Sequence, residues 1–269
     1  MKKALKTLIV LTLIFAMLTG CDGTGTTDEE SSYVKPEVLR VGVGSTYPWG
    51  FSENDVIQGF TVDVWNEIGE RIGVEIEFSQ YSNAEGLYGA MDSDRIDVVA
   101  SQVAITPAIE EKYAFTDVYG YNVIKMCVQD SSDAQSIEDL HGKKVCIEPG
   151  GKLAEFFNGY NEKLSDDEKI ELVFTEGSIW EELELGRFDS FPITVLSFRA
   201  REMKGEDRNI KLIGDPIITE DDVYPVQKDM APELLDEINA ALKSMAEDGF
   251  MTETSIKWYG IDLTDKANL

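Results

Sequence analysis

Stretches of alternating apolar residues take turns with stretches in which apolar residues recur every three or four positions, along nearly the whole chain. The first pattern buries one face of a strand and the second buries one stripe of a helix. Their alternation therefore restricts the fold to layered α/β units with mostly parallel sheets. Leu39, Val41 and Val43 form a first strand, ended by the turn chemistry of Gly44-Ser45-Thr46-Tyr47-Pro48. Val64, Ile68 and Ile72 lie four apart with Trp65 beside them, which predicts a helix from Phe60, and Gly73 falls where a C-cap belongs. Val74, Ile76 and Phe78 alternate again, Ala84 to Met91 reads as helix, and Ile96 to Ala100 as a short buried strand.

The second half repeats the theme. Lys144 to Ile147 is a strand ending at Pro149-Gly150-Gly151, and Leu153, Phe156, Phe157 and Tyr160 mark one face of the following helix. Glu171 to Phe174 predicts a strand and Ile179 to Leu185 a helix. Leu234, Ile238, Leu242 and Met245 line a helix begun by Pro232 and closed by Gly249. From Tyr33 onward the chain has about 237 residues, above the usual size of one core and suited to two lobes.

The first residues read differently. Lys2, Lys3 and Lys6 precede an apolar run from Leu8 to Leu18, and Leu18-Thr19-Gly20-Cys21 closes the segment. This is the pattern of a secretory signal peptide over residues 1–20, and its ending resembles the lipobox of bacterial lipoproteins. The run is far short of the ~20 residues that span a bilayer. Cys21 is expected to become the mature N-terminus and carry lipid, the alternative being an ordinary signal peptide with an incidental cysteine. Residues 21–32 contain no apolar side chain after Cys21, so they are expected to form a flexible tether. Export with lipid anchoring at the outer face of the cell membrane follows as the expected location.

The formal net charge is −27. A surface of that sign repels nucleic acid and anionic headgroups, so neither is an expected partner. Cys127 and Cys146 sit in two strand-like segments, VIKMCVQ and KKVCIE, and are read either as a disulfide or as buried free thiols. Two cysteines nineteen apart and the single His141 lack recognisable metal-ligand spacing, and no cofactor motif is present.

Six segments in register carry a resemblance: GFTVDVWNEIGERIGVEIEF (59–78), DRIDVVASQVAITP (94–107), YAFTDVY (113–119), SIEDLHGKKVCIEPGG (136–151), ELGRFDS (184–190) and MAEDGFMTETSIKWYGIDL (245–263). Together they resemble the family 3 extracellular solute-binding proteins, the receptors of polar amino-acid ABC importers. The resemblance implies a two-lobed type II periplasmic-binding-protein fold with a ligand cleft between lobes joined by two hinge segments. One lobe is expected to take residues 33–120 plus 224–269, and the other 121–223, with hinges near Gly120–Val123 and Asp221–Val226. It further implies a monomer that closes over a small polar solute and delivers it to a permease.

The resemblance also places the site. Tyr47, Ser101, Gln102, Thr106, Gly151, Lys152 and Thr194 fall at positions near ligand in the family, and Trp49 adds an aromatic beside Tyr47. Two usual handles are replaced. The family's arginine for an α-carboxylate is Ile109 here, and its acid for an α-ammonium is Thr194. Ala104 is apolar where a hydroxyl is common. Lys152, opening a helix after Gly150-Gly151, is expected either to contact an anionic group or to be a solvated lysine. Trp49 is read as cleft wall or as core, and Glu148 as a substitute acid or an exposed strand end. Alternative readings are a ligand sensor for a membrane signalling partner and, further off, a dehydratase-type enzyme on the same fold.

Overall fold

Leu39, Val41 and Val43 are almost inaccessible to solvent in β1 (Val38–Val43), as their alternation requires. The computed structural model describes residues 33–102, 105–206 and 209–269. The leader 1–20, Cys21, the tether and Ala104 lie outside the described residues. A hairpin of β2 (Phe51–Glu53) and β3 (Val56–Gln58) turns through Asn54 and Asp55, both with left-handed backbone at φ 52° and 63°. Asn and Asp are the non-glycine residues that adopt this region most readily.

In α1 (Phe60–Ile72), Gly59 offers no side-chain cap. The carbonyls of Pro48 and Trp49 instead accept from the N–H groups of Phe60 at 2.8 Å and Thr61 at 2.9 Å. This satisfies donors that every helix start leaves open. A Cβ at Gly59 would lie 2.5 Å from the Trp49 carbonyl oxygen, so glycine is required there. Gly73 closes the helix at φ 70°, as expected from the sequence.

The first lobe continues through β4 (Glu75–Gln80), α2 (Ala84–Asp92), β5 (Val98–Ala100), α3 (Pro107–Lys112) and β6 (Ala114–Phe115). The chain crosses into β7 (Gly120–Gln129), β8 (Lys144–Cys146), α4 (Gly151–Asn161), β9 (Glu171–Val173), α5 (Ile179–Glu184), β10 (Ser190–Thr194) and α6 (Val195–Met203). It returns along β11 (Ile210–Asp222) to β12 (Pro225–Val226), α7 (Pro232–Glu247) and α8 (Phe250–Tyr259). No helix among the described residues is long and apolar enough to cross a membrane.

Two five-stranded sheets result, ordered β4-β1-β5-β12-β6 and β11-β7-β10-β8-β9. They are mixed, which corrects the expectation of mostly parallel sheets. The strand–helix–strand units give the parallel neighbours β4-β1-β5 and β10-β8-β9. The outgoing and returning chains lie side by side, and so β7, β11, β12 and β6 pair antiparallel. In the second sheet β7 buries both faces. Met126 and Val128 join Leu140, Val145, Phe157 and Ile213 on one side. Cys127 points to the other, with Cys146, Leu183, Phe191 and Phe198. Both cysteines are buried free thiols, and burial pushes Cys127 up to about 12.

At the crossing, Asp222 pairs with Gly120, and Tyr119 N–H donates to the Asp222 carbonyl at 3.0 Å. Tyr119 stacks on Tyr224 with ring centroids 4.2 Å apart and planes at 10°. A third segment, missed in the sequence, packs on the same crossing. Tyr121 N–H donates to the Leu263 carbonyl at 2.9 Å, and the Leu263 side chain is 1% exposed. Lys266 pairs with Asp221 at 3.1 Å and sits 4.2 Å from the Tyr121 ring centroid.

Two outcomes follow from this packing. A Cβ at Gly120 would lie 1.8 Å from Leu263 Cδ1, so Gly120→Ala is expected to displace that segment and destabilise the fold by about 1–3 kcal/mol in urea titrations. Cys127 and Cys146 are expected to resist a thiol reagent in the native protein at pH 8 and to react once it is unfolded in guanidinium.

Candidate functional site

A cavity of about 450 Å³ opens where the two sheets approach the crossing segments. Ser101, Gln102 and Ile105 reach it from the loop after β5. Tyr119 and Asn122 enter from the outgoing crossing, and Thr219, Glu220, Asp221, Asp222 and Val223 from the returning one. Lys152 contributes from the first turn of α4 and Thr194 from the junction of β10 and α6. The edge at the carboxyl ends of parallel strands is where open α/β sheets bind ligands.

Local structure fixes several of these groups. Ser101 follows the fully buried run Val98–Ala100, and Gly44 at the end of β1 leaves it room, since a Cβ there would lie 2.4 Å from Ser101 Oγ. Thr194 caps α6: its hydroxyl accepts from the Ser197 N–H at 3.1 Å and donates to Ser197 Oγ at 2.7 Å. The Lys152 ammonium lies 2.5 Å from Glu220 Oε1. That pair is partly exposed and is worth roughly 0–1 kcal/mol.

The electrostatics centre on the returning strand. Glu220 is paired with Lys152 and Asp221 with Lys266, whereas no lysine or arginine among the described residues pairs with Asp222. Burial, with Glu220 and Asp221 adding repulsion, raises the Asp222 carboxyl to about 7. Asn122 is 3% exposed and its Oδ1 has no hydrogen-bond partner. No cluster of His, Cys, Asp and Glu among the described residues is arranged to hold a metal.

Of the residues singled out in the sequence, Ser101, Gln102, Lys152 and Thr194 line this cavity together. Tyr47, Trp49, Thr106 and Gly151 do not. Of the two readings of Trp49 the structure shows the core one: it is 4% exposed and packs on Tyr259 at 5.2 Å under the start of α1. Half-buried Tyr47 lies edge-on to Phe51 at 5.0 Å, with the Lys204 ammonium 3.7 Å from its ring centroid. Thr106 is exposed and caps α3, its Oγ1 accepting from the Ile109 N–H at 3.4 Å. Gly151 is exposed and begins α4 at φ 71°, and Glu148 is an exposed strand-end acid outside the lining. Ile109 packs against the core of Leu87, Met91, Val99 and Tyr113. Tyr119, Asn122 and Asp222 were missed as lining residues. Their signal is weak, since the acidic run 220–222 reads as a solvated strand end until its pairing with residues 120–122 is known.

The raised carboxyl has a consequence for stability. In the unfolded chain Asp222 titrates near 3.9. Between about pH 4 and pH 7 the folded protein therefore holds a proton that the unfolded chain has lost, and stability falls as pH rises through that window. Asp222→Asn removes this penalty. The variant is expected to match the wild type at pH 4 and exceed it by roughly 1–2 kcal/mol at pH 8 in urea titrations, less than full linkage because the carboxyl is partly open to solvent.

The family described as bacterial extracellular solute-binding proteins, family 3, matches residues 39–261. PatH of Vibrio harveyi, which bears the name of an amino-acid ABC transporter-binding protein, is 34% identical over 230 residues, covering 84% of this chain and 90% of PatH. The L-cystine-binding protein TcyA of Bacillus subtilis is 28% identical over 282 residues, covering 98% of this chain and all of TcyA. In fold, the chain is similar to the L-cystine solute receptor of Neisseria gonorrhoeae in its unliganded open conformation, with a TM-score of 0.69 at 19% identity over 85% of this chain and 95% of that one. The two α/β sheets joined by crossing strands are the two-lobed type II architecture, and the chain belongs to the bacterial extracellular solute-binding proteins of family 3.

Proposed function

We propose that this protein captures an amino acid or an amino-acid-like solute in the cleft at its crossing segments and hands it to the permease of an ABC importer. One observation carries the reading: a single cavity is faced by Ser101 and Gln102 from one lobe and by Lys152 and Thr194 from the other. A solute touching both sides binds the closed arrangement better than the open one, and only such a difference shifts the equilibrium toward closure. The paired strands at Gly120 and Asp222 would act as the pivot, with the lobes divided as residues 33–120 plus 224–269 and residues 121–223. The names of PatH and TcyA support amino acids and their derivatives as the solute class. A monomer tethered by lipid on Cys21 would present the closed shape to the permease from outside the membrane.

The test is a thermal-shift screen of the purified protein against amino acids and related solutes, followed by small-angle scattering with any hit. At 100 times its Kd the solute is expected to add ~2.7 kcal/mol of stability and to reduce the radius of gyration. A hit that leaves the radius unchanged would overturn cleft closure, and silence across all solutes would overturn the receptor role.

A further inference from the structure

The cleft's charge lies almost wholly on its hinge wall, and it is negative. Three carboxylates, Glu220, Asp221 and Asp222, face one lysine, Lys152. On the first lobe's side the lining residues Ser101, Gln102 and Ile105 are uncharged. The pairings sort the acids. Lys152 from α4 holds Glu220, and Lys266 from the C-terminal segment holds Asp221, which leaves Asp222 without a lysine or arginine partner among the described residues. Around Asp222 stand its strand neighbours Glu220 and Asp221, Tyr119 from the opposite crossing segment, Tyr224, and Tyr259 from α8, none of them positively charged.

A second observation is independent of charge. Asn122, on the strand paired with this wall, is 3% exposed and lines the cleft, yet its Oδ1 accepts no hydrogen bond. A buried acceptor left open costs on the order of 1–3 kcal/mol, so it marks a place that a donor completes. Two acceptors lining one cavity from paired strands, one of them a carboxylate, suit a group with several N–H donors and a positive charge. An anion there would meet a carboxylate and a carbonyl.

We propose that the ligand is a cationic amine whose ammonium group is held by the Asp222 carboxylate and the Asn122 side-chain carbonyl on the hinge wall. The counter-charge thus comes from the hinge rather than from the Thr194 position. This deepens the receptor reading and rests on it. Because the Asp222 carboxyl sits near 7, ligand binding competes with its proton. Affinity then falls about tenfold per pH unit below that point.

The experiment is titration calorimetry on the purified full chain at pH 8 with four probes: 1,4-diaminobutane, arginine, glutamine and glutarate. At least one of the two cations is expected to bind, and glutarate is not. Asp222→Asn is expected to weaken the cation by about thirtyfold or more, the loss typical of a severed charge pair. Asp166→Asn, exposed and paired only with Lys169, is expected to leave it unchanged. Retained fold of Asp222→Asn is checked by its own urea titration, in which it is expected to be the more stable form at pH 8. Equal cation affinity in wild type and Asp222→Asn would overturn the proposal. So would binding of glutamine or glutarate with both cations silent, an outcome that keeps the receptor reading intact. Silence from all four, and from a wider solute panel, would overturn both.

Discussion

The antiparallel pairing of the outgoing and returning chains is the constraint on which the rest of the molecule depends. It begins where β6 meets β12, passes through the hydrogen bonds between Thr116 and Tyr224 and between Tyr119 and Asp222, and runs on as the long ladder of β7 with β11. Each lobe keeps its own sheet and core, so neither sheet alone defines the cleft. The crossing does, because it fixes which strand ends face each other. The stacked Tyr119 and Tyr224 rings and the Leu263 segment stiffen this pairing from both sides.

Two positions read from family register have structural work here: Ile109 packs against a first-lobe core, and Thr194 caps α6. A hydroxyl that both accepts from Ser197 N–H and donates to Ser197 Oγ is largely committed. On the crossing strands, Asn122 Oδ1 has no hydrogen-bond partner, and no lysine or arginine among the described residues pairs with Asp222.

The sequence made the elements legible where periodicity was strong. Val64, Ile68 and Ile72 with Gly73 located α1 to within a residue, and Leu234, Ile238, Leu242 and Met245 located α7. Strand direction was not legible, since a period of two is the same for parallel and antiparallel neighbours. The hairpin at Asn54 and Asp55 was missed because three-residue strands carry too little pattern. Four cavity-lining residues, Ser101, Gln102, Lys152 and Thr194, came from family register alone. Trp49 stayed open between cleft wall and core because an aromatic next to a turn looks the same in sequence whether it faces a cleft or, as here, Tyr259. Asp222 could not be found from its neighbours in the chain alone, because Tyr119 and Tyr259 reach it from distant positions.

The pairing of Asp222 with Gly120 puts it at the proposed pivot, and this has a mechanical meaning for the proposed capture. Attraction exerted at a pivot has almost no lever arm, so it would anchor a solute without turning one lobe toward the other. Torque would then come from contacts made on the lobes, with Ser101 and Gln102 on one side and Lys152 and Thr194 on the other. On the proposed mechanism affinity and closure fall to different residues, and a solute that satisfies the pivot alone would be held in an open receptor.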